Sequence, residues 1–376
     1  MPSIPSPSDD LLPSTSLNQP SGAIPTKTLT PSTNPSSTLP PIRIGTRRSK
    51  LARIQTDIIV SALQKAWPER AYEVVAMDPL GDRDKNTPLH AMGAKSLWTA
   101  ELEVLLEKGG LDVIVHSCKD MPTQLPLNLS LGCTPPRANP FDALVLSPAS
   151  ISAGHTSLHT LPAGSVIGTS SLRRVAQLKR SYPNLAFADC RGNVPTRLAK
   201  LDAEDGQYAA LILAAAGLER LDLGARISKA LNWKDDGVMY AVSQGAIGVE
   251  VREGDEEVAK LLEKVDCEWT HRMCLAERSL MRTLEGGCSV PIGVETEWLK
   301  KEDGASGNGE MLMRGIVVSL DGKESVTGEL TKVIKSRDDV DSFGREMAKV
   351  LVEKGADKIL QEINLDRGVL AQGGVA

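Results

Sequence analysis

The sequence predicts an α/β protein: two doubly wound units, then a smaller α+β unit with a small antiparallel sheet. Three observations carry that reading. Strand-like apolar runs alternate with amphipathic helical stretches between residues 42 and 251. Basic and hydroxyl residues sit where those strands end. Beyond residue 266 the pattern becomes one helix, three strand runs and a second helix. At 376 residues the chain exceeds one ordinary domain. It divides into a disordered leader (1–41), a first domain (42–137 with 241–265), a second (138–240) and a third (266–376).

The leader is rich in Pro, Ser and Thr, with only Asp9, Asp10 and Lys27 charged, and has too little apolar surface to offset ordering entropy. The ordered part opens with a strand, Ile42 to Thr46, and a helix from Ser49 to Trp67. Ser49 is its expected N-cap, and Leu51, Ile54, Ile58, Ala62, Leu63 and Ala66 form its apolar stripe. Tyr72 to Asp78 is a second strand, followed by a loop at 79–95 long enough to cover a site. A helix from Leu97 to Lys108 and a buried strand from Leu111 to Ser117 follow. The Pro-rich stretch 134–140 is a candidate crossover.

The alternation then repeats: strand Val166 to Thr169, helix from Ser171, strand Leu185 to Cys190, helix Asn193 to Glu204, strand Tyr208 to Ala216. It implies parallel sheets covered on both faces. Met239 to Val251 is a strand-like run that returns the chain to the first unit. The third unit has a helix from Trp269 to Leu284 and strands near 290–298, 311–320 and 324–334. Asp321-Gly322 signals a tight hairpin, and one long helix carries Val340, Phe343, Met347, Val350, Leu351 and Ile359.

Composition narrows the function. Hydrophobic content of 41% and charged content of 24% are those of a soluble globular chain. A net charge of −5 and 3% aromatics argue against a nucleic-acid binder and against base-stacking platforms. No apolar run reaches the roughly 18 residues of a membrane span. The six cysteines show no C-x-x-C pair and no metal spacing, so reduced thiols and no metal are expected. The leader has neither a secretory apolar core nor the arginines of a mitochondrial presequence. The cytoplasm is expected, with a plastid the alternative.

Chemistry concentrates at five strand ends. Thr46-Arg47-Arg48-Ser49, His116-Ser117-Cys118-Lys119-Asp120, Gly168-Thr169-Ser170-Ser171-Leu172-Arg173-Arg174, Cys190-Arg191-Gly192-Asn193 with Arg197, and Arg220 all follow strands. Ligands of open α/β sheets bind beyond the carboxyl ends of strands. Helix N-termini, serine hydroxyls and guanidinium forks there make a cradle for carboxylates or phosphates. No Walker or dinucleotide fingerprint accompanies them. Asp120 is a carboxylate among cations, suited to stabilising positive charge that develops on a substrate. Cys288, in Gly286-Gly287-Cys288-Ser289-Val290-Pro291, is flanked by glycines that leave its sulfur uncovered for a bulky adduct. Two other readings remain open on the residues alone: a carboxylate-binding module in which Cys288 is incidental, and a thiol hydrolase with His116 as base.

These motifs, with Gln244-Gly245-Ala246 and Glu285-Gly286-Gly287-Cys288, stand in the order and spacing that resemble the porphobilinogen deaminase (hydroxymethylbilane synthase) family over about residues 42–365. The resemblance implies two periplasmic-binding-protein-like domains, crossed twice by the chain, and a third α+β domain. It implies a transferase of porphyrin (haem) biosynthesis that joins four porphobilinogens head to tail, losing ammonia each time, to give hydroxymethylbilane. A dipyrromethane cofactor would be attached by thioether to Cys288. Asp120, with Lys119, resembles the catalytic pair, Asp120 stabilising an azafulvenium cation. Lys119, Asp120, Thr169, Ser171, Arg173, Arg174 and Arg191 resemble cofactor ligands. Arg47, Ser49, Gln55, Lys95, Arg197, Arg220 and Gln244 resemble ligands of substrate or growing chain, with Gln244 also at a hinge. A monomer that hands its product to uroporphyrinogen-III synthase is expected. Loss of Arg173 is expected to impair cofactor assembly rather than folding, on the view that the core does not need its guanidinium.

Overall fold

A computed structural model describes residues 39–78, 99–284, 290–301 and 308–363. The first unit begins with β1 (Ile42–Arg47), α1 (Lys50–Ala66), β2 (Tyr72–Met77), α2 (Ala100–Glu107), β3 (Val113–Ser117) and β4 (Leu129–Cys133). Ser49 caps α1 by accepting from the Ala52 N–H. The buried face of α1 differs from the expected stripe. Gln55, Thr56, Ile59 and Leu63 point inward, while Ile58 is exposed. The face has turned because Gln55 is held by Ser117 at the end of β3, and Ile59 and Leu63 follow it at helical spacing.

The chain then crosses into the second unit: β5 (Asp142–Leu146), α3 (Pro148–Ser152), β6 (Val166–Gly168), α4 (Leu172–Ser181), β7 (Ala186–Ala188), α5 (Val194–Asp202), β8 (Ala210–Ala214), α6 (Ala215–Arg220), β9 (Lys229–Leu231) and α7 (Trp233–Asp236). The apolar run from Tyr208 is thus a strand that turns into a helix at Ala215. β10 (Ile247–Arg252) and α8 (Glu256–Leu262) return to the first unit. The preceding 239–246 is not strand; it turns through Ser243 and Gly245, both at positive φ.

Both large sheets are mixed rather than wholly parallel. Their orders are β2-β1-β3-β10-β4 and β7-β6-β8-β5-β9. In the first, β1 runs parallel to β2 and β3, and β10 is antiparallel to β3 and β4. In the second, β6 runs parallel to β7 and β8, and β5 is antiparallel to β8 and β9. The reason is the double crossover. A strand arriving from the other unit enters at the edge where parallel strands end, so it must run backwards through the sheet. Ile247 therefore pairs with Ser117, the last residue of β3, and Asp142 with Ala214, the last of β8. Each arriving strand starts at the ligand end of its new sheet.

The third unit comprises α9 (Glu268–Thr283), β11 (Ile292–Lys301), β12 (Gly309–Val318), β13 (Ser325–Ile334) and α10 (Arg337–Glu353). Its antiparallel sheet, ordered β11-β12-β13, lies against both helices around Leu280, Met313, Val317, Phe343 and Met347. The Asp321-Gly322 hairpin is wider than a two-residue turn, because pairing stops at Val318 with Ser325 and Asp321 caps the loop from inside. Gly322, at φ +80, lies so close to the Arg180 main chain that a Cβ would sit 2.8 Å from it. The expected long helix breaks at Lys354–Gly355, where Gly355 takes φ +97, and helical structure resumes at 356–363. Among the described residues no helix is long and apolar enough to cross a membrane.

Candidate active site

The first wall is the turn after β3. Cys118 and Met121 are buried beneath it, so the turn Cys118–Asp120 presents Lys119 and Asp120, both half-buried, at the sheet's ligand end. The third unit braces it from behind. Cys274 of α9 packs with Cys118, and Arg278 donates to the carbonyls of Met121 and Pro122. The antiparallel register brings the residues before β10 alongside: Cys118 N–H donates to Ala246, and Lys119 Nζ lies 3.4 Å from Gln244 Oε1.

The second wall is the turn from β6 into α4. Thr169 Oγ1 accepts from Ser171 N–H, and Ser171 Oγ caps the helix at Arg174 N–H. Among the described residues Ser170 Oγ is buried without a hydrogen-bond partner. Arg173 and Arg174, each about 6% exposed, meet on Asp142. Arg173 NH1 donates to Asp142 Oδ2 at 2.7 Å and to the Met239 carbonyl at 2.6 Å. Arg174 donates from Nε and NH2 to Asp142 Oδ1, and from NH1 to the Ile212 carbonyl. Gln244 completes the link, its Nε2 donating to Asp142 Oδ1 at 2.9 Å and to the Pro140 carbonyl. An unbroken chain of polar contacts thus joins Lys119 of the first domain to both arginines of the second.

Three of the sequence expectations meet these buried contacts. Gln244, expected as a substrate ligand at a hinge, is 1% exposed with both ends of its amide engaged, and it ties the two units together. Gln55, 2% exposed, is likewise spent on Ser117 under the wall. Nor are the Arg173 and Arg174 guanidiniums dispensable to folding, since they neutralise a buried carboxylate. Burial raises the Asp142 pKa, but Arg173 and Arg174 outweigh it and hold the group well below the usual carboxylate range. Asp142 was not foreseen. The only signal was a charged residue opening the apolar run Ala143–Leu146.

The other cations lie around these walls. Arg197 donates Nε to the Gly192 carbonyl, and its pKa is lowered by burial first and then by Arg174 nearby, with Arg191 adding to it. Arg191 is half-buried after β7. Arg220 ends α6 and donates to the Gly245 carbonyl, pinning the return crossover. Gly245 needs its φ of +86 and its missing Cβ, which would lie 2.5 Å from the Ala138 carbonyl of the outgoing crossover. Arg47 closes β1, and Ser49 starts α1, whose Leu51 lies over Gly217 of α6. Lys119 holds its charge less firmly than a free lysine. Burial lowers its pKa to about 8, Asp120 and Asp142 opposing, and Arg174 and Arg173 assisting. Lys95 and Cys288 lie outside the described residues; α9 and β11 flank the segment that carries Cys288.

Residues 42–260 match the family model described as porphobilinogen deaminase, dipyromethane cofactor binding domain, and 271–353 match the porphobilinogen deaminase C-terminal domain. This chain belongs to the porphobilinogen deaminase family. It is 47% identical over 335 residues to the porphobilinogen deaminase of Yarrowia lipolytica, covering 88% of this chain and 95% of that one. With the Saccharomyces cerevisiae enzyme the identity is 43%, over 87% and 98% of the two chains. With that of Synechococcus elongatus it is 45%, over 87% and 97%. A solved nutrient binding protein from Burkholderia cenocepacia, 12% identical, covers 60% of this chain and 91% of its own at a TM-score of 0.36, too low to carry weight. The family's cofactor is dipyrromethane, and the walls suit a ligand rich in carboxylates: among the described residues, a buried hydroxyl without a partner stands just before a helix N-terminus, and Arg173 spends only NH1 on protein acceptors.

Proposed function

We infer that this chain is a hydroxymethylbilane synthase, which joins four porphobilinogen molecules head to tail with loss of ammonia at each addition. Family membership over nearly the whole chain supports the reaction. The observation that carries the site is the polar chain from Lys119, the neighbour of Asp120, to Arg173 and Arg174 through Gln244 and Asp142. When bound by thioether to Cys288, dipyrromethane supplies the pyrrole end that is extended. Thr169, Ser171, Arg173, Arg174 and Arg191, with Lys119, are assigned to its carboxylates. Each charge-assisted bond contributes about 1.5–3 kcal/mol.

Asp120 accepts pyrrole N–H groups and stabilises the positive charge that develops on porphobilinogen as its amine leaves. A fixed carboxylate suits this, because it needs no reorganisation as charge forms. Arg47, Ser49, Arg197 and Arg220 hold the acetates and propionates of incoming units, and Lys95 serves with them. Without such cations the carboxylates of a lengthening product would repel one another. A monomer in the cytoplasm, passing its product to uroporphyrinogen-III synthase, completes the proposal.

Intact-mass spectrometry tests it. The wild type is expected to carry a pyrrole adduct that Cys288→Ser lacks, and to form a linear tetrapyrrole from porphobilinogen. Full activity at the unmodified polypeptide mass refutes covalent priming at Cys288.

A further inference from the structure

One carboxylate of the site is given no task in the reaction by that scheme. Asp142 opens β5, and nothing in strand formation calls for a charge there, since Ala143, Leu144, Val145 and Leu146 are apolar and buried. Its place follows from the crossover, because a strand entering antiparallel starts at the ligand edge. There it accepts four bonds, three on Oδ1 (Arg174 Nε and NH2, Gln244 Nε2) and one on Oδ2 (Arg173 NH1). Arg174 is thereby gripped along one edge, with NH1 on Ile212. Among the described residues Arg173 is held by NH1, which leaves its Nε and NH2 edge as the presenting one. One anion shared by two guanidiniums leaves a single net positive charge, so the forks stay side by side instead of splaying. The Gln244 bridge carries the same constraint to Lys119.

We propose that Asp142 is a positioning residue for the reaction: its carboxylate sets the directions of Arg173 and Arg174 and, through Gln244, the place of the Lys119 ammonium on the opposite wall. This rests on the reading of the site given above. Asp142 need not touch a pyrrole to act in this way; it acts through the cations that do.

Asp142→Asn keeps the shape and removes the charge. Mass spectrometry, thermal melting and the pH dependence of kcat are measured on wild type and variant. A misplacement of about 1 Å at a reacting group costs on the order of 100-fold, so kcat is expected to fall to about that extent. Lys119 faces Asp120 in its own turn and Arg173, Arg174 and Asp142 across the cleft. Withdrawing the Asp142 charge disfavours its protonated form, so the alkaline limb of the profile should also move to lower pH. Asp142→Glu should restore part of both. A purely structural role lowers the amount of active enzyme and leaves the limb in place. A primed Asn variant with wild-type kcat and an unmoved limb overturns the proposal alone. An unmodified wild-type mass overturns the reading of the site and this proposal with it. Should the Asn variant be insoluble, Gln244→Leu leaves the arginine pairs whole and carries the test. It is expected to load cofactor yet lose turnover with the limb displaced, and wild-type kcat there counts equally against the proposal.

Discussion

Glu277→Gln tests how the third unit is fastened to the hinge between the other two. Glu277 is fully buried in the middle of α9. Its Oε1 accepts from Arg137 NH1 at 2.6 Å and Thr296 Oγ1 at 2.5 Å, and its Oε2 from Arg137 NH2 at 3.1 Å and Ser243 N–H at 2.6 Å. Arg137 lies on the outgoing crossover and Ser243 on the return, so one carboxylate holds both. Burial lowers the Arg137 pKa, but the attraction of Glu277 more than reverses this. The substitution conserves volume, so no cavity contributes. It removes the charge and turns an amide toward donors, which strands either the Ser243 N–H or one arm of Arg137. Breaking a buried pair from one side costs about 3–5 kcal/mol, a large share of the roughly 5–15 kcal/mol that holds a domain together. At about 2 °C per kcal/mol for a large domain, the first melting transition should fall by about 6–10 °C. Wild type and variant are compared by calorimetry after mass spectrometry shows equal cofactor loading, since a bound group shifts melting by itself. A first transition lowered by less than about 2 °C refutes the argument.

Cys288→Ser should give a folded protein with no pyrrole adduct and no product; an adduct in the variant places the attachment elsewhere. Asp120→Asn should retain bound pyrroles while kcat falls by about 100- to 1,000-fold, the scale of losing one aimed electrostatic group; near-normal turnover removes Asp120 from the mechanism. Lys119 loses its charge as pH rises through about 8 rather than 10.5, so turnover should decline above about pH 8. Its stability effect has the opposite sign: from about pH 8 to 10.5 the unfolded chain holds a proton that the folded one lacks, so stability rises with pH there. A flat kcat profile up to pH 10 excludes Lys119 from the rate. Arg173→Ala should both slow cofactor assembly and cost about 1–3 kcal/mol, because Asp142 and the Met239 carbonyl each lose a donor; a urea midpoint equal to wild type argues that Arg174 and Gln244 suffice.

Much of the site was legible in local pattern. Ser49, Ser171 and Asn193 were readable as helix starts, and each side chain accepts the expected capping bond. A cap needs only residues within one turn, so local sequence specifies it. The basic residues at strand ends were readable for the same reason, because a strand followed by a capped helix sets which end of the sheet they occupy. The direction of β5 and β10 was not legible. An apolar run of five or six residues reads the same in either orientation, and only the crossover between domains settles it. The inward face of α1 was misjudged because Gln55, polar yet buried, answers to Ser117, 62 positions away.

The sequence alone determined which residues are available and where along each element they stand: the capped helix starts, the cations after strands, the acid beside Lys119, the cysteine after two glycines. The tertiary structure decided which of them meet. Asp142 and Gln244 stand 102 positions apart, and Lys119 and Gln244 125. Antiparallel entry at the ligand edge brings all three together and makes a buried carboxylate the hub of two arginines. Such contacts depend on strand order and register, which are set by closing long loops and filling a shared core, and no local stretch of chain encodes that choice.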